Sequence, residues 1–286
     1  MRKSIPWKEK IVNVPWLGRV GLVRDRDGCA TFYPGGLAFR SNLTATLIRN
    51  GKIEGTRDLG SGLVTNVGVL ALANDFAWSP TNAPHNLFRT LKYHASGKGT
   101  TAAAATDIKL ETVSTVGGQT PVVGTQVLVS AANSQKYQSV ATIAYTGTEA
   151  VTEWSILGYD STLPAVTALT DATGSPFTAG SATTGTTTGT TLTASSTTAM
   201  GQQMSIFERT SGASLSWGLV TSNTTSVITV PAWYLVSSGA AGAAPANAET
   251  YVIRPVCWDR KQFSAVNIVN GDSIQFSYTL TISSGG

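Results

Sequence analysis

The chain reads as all-β: a β-sandwich or jelly-roll-like core that carries an inserted small β subdomain and an extended N-terminal arm. Three observations predict this. Apolar residues recur with a period of two along most of the chain. Asn-Gly pairs punctuate the β-rich runs at positions 50–51 and 270–271. Thr, Ser, Gly and Ala stand where charge would normally be: charged residues are only 13% of the 286, against about 25% in an average soluble chain. Hydrophobic residues make up 42%, enough for a sizeable core.

Residues 1–20 hold two Pro-Trp pairs, Pro6-Trp7 and Pro15-Trp16. Proline biases the residue before it to extended conformations, so this stretch predicts an extended arm with two aromatic anchors. Trp7 and Trp16, with the neighbouring Arg2, Lys3, Lys8 and Lys10, are the candidate partner contacts. The next β-rich run, residues 43–49, is followed by Asn50-Gly51 and by residues 52–59, which predicts a hairpin. Residues 67–78 carry the best helical signal, with Leu70, Ala73, Asn74 and Ala77 on one face; one short helix is predicted there. Residues 95–106 are small and read as a loop.

Strands are predicted over residues 139–146 and 149–157, antiparallel across Thr146-Gly147-Thr148, and over 225–230. The Thr- and Gly-rich residues 170–198 read as β structure with loops, because Thr is a good strand former and the charge is too low for an expanded coil. The clearest strand is the last. Ile274, Phe276, Tyr278, Leu280 and Ile282 face one way, and Ser273, Gln275, Ser277, Thr279, Thr281 and Ser283 the other. Residues 263–269 precede it, and Asn270-Gly271 between them reads as a type I′ hairpin turn.

The chain offers little for catalysis. His85 and His94 lie nine apart with no ligand cluster around them, and neither Cys29 nor Cys257 sits in a metal-binding or disulfide spacing. No metal or other cofactor is expected. G-x-S-x-G, H-E-x-x-H and Walker motifs are absent. Glu149 and Glu153 are i and i+4, about 13 Å apart on one face of a strand, too far for a glycosidase pair. Each carboxylate reads more simply as a solvated or ion-paired surface group. Seven dispersed tryptophans read as core or interface anchors, with sugar stacking as a minor reading.

Residues 1–60 hold eleven of the 20 Lys and Arg and five of the 16 acids, a surplus of six positive charges. The basic residues are interspersed with acids, so a protein partner is expected in place of nucleic acid. The chain has no apolar run of about 18 residues and no apolar stretch behind its basic start. A cytoplasmic product with no membrane association is therefore expected.

Several segments in order resemble a family of tailed-phage virion structural proteins: LTATLIRNG (43–51), LGSGLVTNVGV (59–69), KYHASGKGTTAAAATD (92–107), QSVATIAYTGTEAVTEW (138–154) and WDRKQFSAVNIVNGDSIQFSYTLTISSGG (258–286). The resemblance covers roughly residues 40–154 and 258–286. It implies a compact β fold that acts by assembly, and it carries no catalytic residues. In the family the stretch like AVTEW runs closely into the stretch like WDR; here about a hundred residues intervene. Within them TTTGTTLT, SVITVPAW and ETYVI are similar to a small β module of phage fibre and tail proteins.

The expected organisation is an arm at 1–20, a β core of 21–157 plus 254–286, and an outward-facing insert at 158–253 whose ends meet as neighbouring strands. The implied role is a capsid decoration (cement) or head-fibre protein of the virion, assembled in the host cytoplasm. It would contact the phage major capsid protein or other virion proteins as a symmetric homo-oligomer, with a trimer favoured by analogy. A tail, neck or baseplate protein is the alternative, and a carbohydrate-binding adhesin a lesser one.

Overall fold

The computed structural model describes residues 10–14, 18–24, 30–33, 37–76, 91–118, 120–131, 134–158, 178–179, 188–193, 206–209, 215–220, 222–223, 227–242 and 251–284. These residues are overwhelmingly strand, and every pairing is antiparallel. The fold is all-β and built on a sandwich.

Two five-stranded sheets make the sandwich. Sheet I has the order β5-β4-β20-β10-β9, from β4 (Leu37–Arg49), β5 (Lys52–Gly60), β9 (Thr125–Ala131), β10 (Ser134–Ala144) and β20 (Ser273–Ser284). Sheet II has the order β6-β19-β11-β7-β8, from β6 (Leu63–Val64), β7 (Tyr93–Gly97), β8 (Val122–Val123), β11 (Glu149–Gly158) and β19 (Val256–Ile268). Central β20 keeps its sequence pattern: Ile274, Phe276, Tyr278 and Leu280 are buried, while Ser273, Gln275, Ser277, Thr279 and Thr281 are half-exposed. The buried set meets Leu43 and Ala45 of β4, Ile143 of β10, and Trp154 and Ile156 of β11 in one continuous core. Trp154 packs against the rings of Phe276 and Tyr278 at 6.2 and 5.4 Å.

The turns differ in kind. At Asn50-Gly51 both residues take positive φ, 49° and 73°, the type I′ requirement, and β4 pairs β5 as a true hairpin. At Asn270-Gly271 only Gly271 has positive φ (89°), and β19 and β20 lie in different sheets. The expected hairpin is therefore an arch that carries the chain across the core. The link from β10 to β11 is an arch as well, not a hairpin. The two arches bond to each other, Tyr145 N to Asp272 O and Gly271 N to Tyr145 O, both at 2.9 Å. Arg49, at the end of β4, clasps Asp272 with Nε and Nη2 at 3.0 and 2.8 Å, and this contact holds the Asp272 carboxyl below its usual range. The turn residues signal a reversal of direction, but not whether the strands on either side pair with each other.

The predicted helix forms as α1 (Asn66–Phe76). Thr65 caps it, its Oγ1 accepting from Gly68 N at 3.0 Å. α1 lies against β19, with Gly68 so close to Trp258 that a Cβ would stand 2.9 Å from its carbonyl oxygen.

Between β11 and β19 the described residues form a sheet of their own. β12 (Thr178–Ala179), β13 (Thr188–Thr193), β14 (Ile206–Arg209), β15 (Ser216–Leu219), β17 (Val227–Leu235) and β18 (Tyr251–Arg254) run in the order β12-β13-β17-β15-β14-β18, with β16 (Ser222–Asn223) also on β17. Its entry and exit are neighbours: Gly158 of β11 stands opposite Val256 of β19. Ile206, Trp217 and Leu219 belong to the same buried cluster as Trp258. Near the N-terminus, β1 (Lys10–Val14), β2 (Gly18–Arg24) and β3 (Ala30–Tyr33) form a three-stranded sheet. The arm expected over residues 1–20 is thus not extended throughout, because Lys10 to Val14 fold back onto Gly18 to Leu22. Val12 stands directly opposite Val20 in this pairing, an apolar cross-strand pair that favours it.

Gly124 joins β8 to β9, where the chain crosses from one sheet to the other. A Cβ there would overlap Ser139 Oγ and stand 2.9 Å from His94 Nε2, whereas a Cβ on Gly55 of edge strand β5 meets nothing within 4 Å. Gly124→Ala should cost about 1–3 kcal/mol in urea unfolding, and Gly55→Ala less than about 0.5 kcal/mol.

Candidate functional site

β20 alternates buried and half-exposed residues, but β11 does not: Val151 through Gly158 are all buried. Both faces of sheet II are covered along this part of β11. Its inner face meets sheet I, and a long irregular segment, residues 98–118, lies across the other. Such a segment needs partners for its backbone amides. Glu153 supplies them. Its Oε1 accepts from Gly99 N (2.8 Å) and Thr112 N (2.7 Å), and its Oε2 from Glu111 N (3.0 Å). The charge is balanced by Arg260 of β19, with Nε and Nη2 at 3.0 and 2.9 Å from Oε2. Arg260 also donates to Asp107 Oδ2 (2.6 Å) and Thr101 O (3.2 Å). Glu153 is 0% and Arg260 2% exposed.

Glu149, four residues before Glu153, grips the same segment. It accepts from Ser114 Oγ and pairs with Lys98 Nζ at 3.0 Å. Burial pushes its pKa up, but Ser114 and Lys98 outweigh that and hold it low. The surface reading of these carboxylates is corrected here. Glu153 is fully inside, because the loop roofs its face, while Glu149 is half-buried and ion-paired with Lys98. The charged run Asp259-Arg260-Lys261, directly after the apolar Val256-Cys257-Trp258, was the signal available in the sequence.

One more buried carboxylate ties the inserted sheet down. Glu208 of β14 takes Lys109 Nζ of the same loop at 2.8 Å and Arg254 of β18 on its other oxygen. Burial raises its pKa, and the two cations more than reverse the effect.

His94 is fully buried. Its Nδ1 accepts from Trp154 Nε1 at 3.2 Å, so its Nε2 carries the proton and donates to Ser139 Oγ at 2.8 Å. Burial pushes its pKa down to about 3. Ser139 is 0% exposed, so this Ser-His contact presents no nucleophile to solvent. Cys257 is also fully buried as a free thiol, and burial raises its pKa. Among the described residues no group of three or more His, Cys, Asp or Glu could hold a metal ion.

The candidate contact residues Arg2, Lys3, Trp7, Lys8 and Trp16 lie outside the described residues, as do Cys29 and His85. Lys10 opens β1, opposite Leu22. The four described tryptophans, Trp154, Trp217, Trp233 and Trp258, are all buried. The two on the inserted sheet, Trp217 and Trp233, are core residues and not a row of sugar platforms.

The two edges of sheet I are unlike. Edge strand β5 carries Lys52, Glu54, Arg57 and Asp58 in nine residues. On the opposite side of the sandwich, where β9 ends sheet I and β8 ends sheet II, residues 122–131 hold no charge at all. There Val123, Val127 and Leu128 are 53%, 44% and 69% exposed, and no described strand pairs with the outer side of β9. On the β5 side, a groove of about 450 Å³ opens between the sheets, lined by Ala45, Leu47 and Gly55 on one side and Ala265 and Val266 on the other. Arg57 bridges that opening to the carbonyl of Ala265 at 3.1 Å. No protein-family model, curated protein or solved structure matches the chain.

Two measurements check this network. Glu153→Ala removes the fully buried counter-charge of Arg260 and leaves three amides without an acceptor, so unfolding free energy should fall by about 3–5 kcal/mol. In NMR titration His94 should stay neutral from pH 8 to pH 4. A histidine depressed in the folded state contributes stability above its unfolded pKa of about 6.5. That contribution fades as the pH falls toward 3.

Proposed function

We propose that the chain is a structural protein of a tailed-phage particle, a capsid decoration, cement or head-fibre protein acting through protein–protein contacts and not through catalysis. The observation that carries this reading is the uncharged edge at residues 122–131, with Val123, Val127 and Leu128 in solvent. A strand edge of this kind is a template for pairing, and monomeric proteins usually guard theirs with charge. The opposite edge, β5, is guarded in that way. The proposed occupant of the β9 edge is a neighbouring copy of this chain. Uncharged edges meet without desolvating charge and join two copies about a two-fold axis; the trimer favoured by analogy would set this edge against a different surface of the next copy.

The internal chemistry supports the same reading. Glu149, Glu153, Glu208 and Arg260 are each consumed in holding the loop at 98–118 and the inserted sheet in place. The major capsid protein, or another virion protein, would be met by the basic N-terminal stretch with Trp7 and Trp16. Repetition around the particle would then turn individually weak contacts into stable attachment.

Native mass spectrometry at micromolar concentration should find an oligomer for the wild type. Leu128→Lys, which places a charge at the edge, should shift it to monomer with an unchanged circular dichroism spectrum. A wild-type monomer, or a variant that assembles as well as the parent, would count against this edge as the self-contact.

A further inference from the structure

Among the described residues, Asp259 is a fully buried acidic side chain at the sandwich interior that the network above does not use. It stands on β19 opposite Ile156, is 0% exposed, and neither of its oxygens meets a donor in bonding geometry among the described residues. Its surroundings come from four elements. Ser41 of β4 and Tyr278 of β20 bring hydroxyls, Leu63 of β6 brings an amide, and Lys261 and the Cys257 thiol lie on its own strand. Lys261 does not pair with it in contact; its Nζ is turned to Ser61 O at 2.6 Å.

The segment that closes over this carboxyl is short and glycine-rich. Residues 60–62 carry the chain from the edge of sheet I to the edge of sheet II, from β5 to β6. Gly62 lies directly on Asp259: a Cβ there would overlap Oδ1. Gly62 N is bonded to Ser41 Oγ at 3.2 Å and Gly60 N to Asp58 Oδ1 at 2.9 Å. Beyond it, β6 holds to β19 through two residue pairs, Val64 with Asp259 and Leu63 with Arg260. Thr65, the cap of α1, follows at once. A carboxylate sealed in this place must be neutral or must gain water, and the strap over it is itself partly exposed to solvent, Leu63 by 37%.

We propose that Asp259 and the strap at residues 60–64 form a proton-controlled latch, shut over the protonated carboxyl and loosened as the carboxyl ionises. Burial raises the Asp259 pKa to about 7, while the Ser41 and Tyr278 hydroxyls and Lys261 pull the other way. The sign follows from linkage. The closed form holds its proton up to about pH 7, whereas an opened strap leaves an ordinary aspartate, with a pKa of about 3.9. Closure is therefore strongest below pH 4, weakens as the pH rises toward 7, and levels off above it. His94 contributes in the opposite direction over much of this range, so the latch is visible locally and not in global stability alone.

Hydrogen exchange of the strap amides at pH 5 to 8.5, corrected for intrinsic rates, tests this. Protection of Gly62, Leu63 and Val64 should fall roughly a hundredfold across that range, while central β20 holds steady. In Asp259→Asn the strap should keep a protection that does not vary with pH. Gly62→Ala, which props the strap off the carboxyl, should leave it poorly protected throughout. If Asp259→Asn does not fold, the wild-type carboxyl followed by carbon-13 NMR should still titrate near pH 7. Strap protection independent of pH in the wild type, the same pH dependence in Asp259→Asn, or an Asp259 midpoint near 4 would overturn the proposal.

Discussion

The buried pair of Glu153 and Arg260 is the constraint on which the rest of the molecule leans. A sheet can be covered on one face by a second sheet, because strands satisfy their own backbone. Covering the other face with an irregular loop leaves amides without partners. Glu153 accepts three of them, and Arg260 answers both the charge and a loop carbonyl. Two ions out of water are costly, and the geometry offsets this only because the Glu153 oxygens and several of the Arg260 donors are engaged. With residues 98–118 held down, Lys109 is placed to meet Glu208, and the inserted sheet is seated on the same side of the sandwich. Its hydrophobic residues then join the parent core through Ile206, Trp217 and Leu219. The insert is packed onto the sandwich and is not a bead on a tether.

Much of this was legible in the sequence, and the illegible part has a physical reason. The one-sided alternation of β20 survives intact because one of its faces meets the core and the other meets solvent. The Asn50-Gly51 hairpin was legible because both residues must take positive φ. Asn270-Gly271 was legible as a turn but not as an arch. Whether flanking strands pair depends on which sheet each joins, and that is a long-range fact. β11 hid its role for a related reason: with both faces covered, its outer residues could be charged and still be buried. Glu153 looks like a surface residue in sequence because nothing nearby says that a loop some forty residues earlier will cover it.

The scarcity of charge takes on meaning in this setting. A chain with 13% charged residues has placed several of them inside, as fasteners between the sandwich, the loop and the insert. What remains outside is rich in hydroxyls over sheet I and unguarded along β9. Such a surface is poor at keeping copies apart and suited to close packing against neighbours, which is the behaviour an assembled shell or fibre requires. The uncharged edge supports the assembly part of the proposed role and nothing finer.

Cryo-electron microscopy of the intact particles released by cells that make this chain tests that role most directly. The account predicts density for the sandwich repeated symmetrically on the icosahedral shell, with the N-terminal residues against the capsid protein and β9 at a joint between copies. Density in the tail or neck would keep the assembly role and move its place. A particle without the chain, with the protein found monomeric in the host cell, would contradict the account.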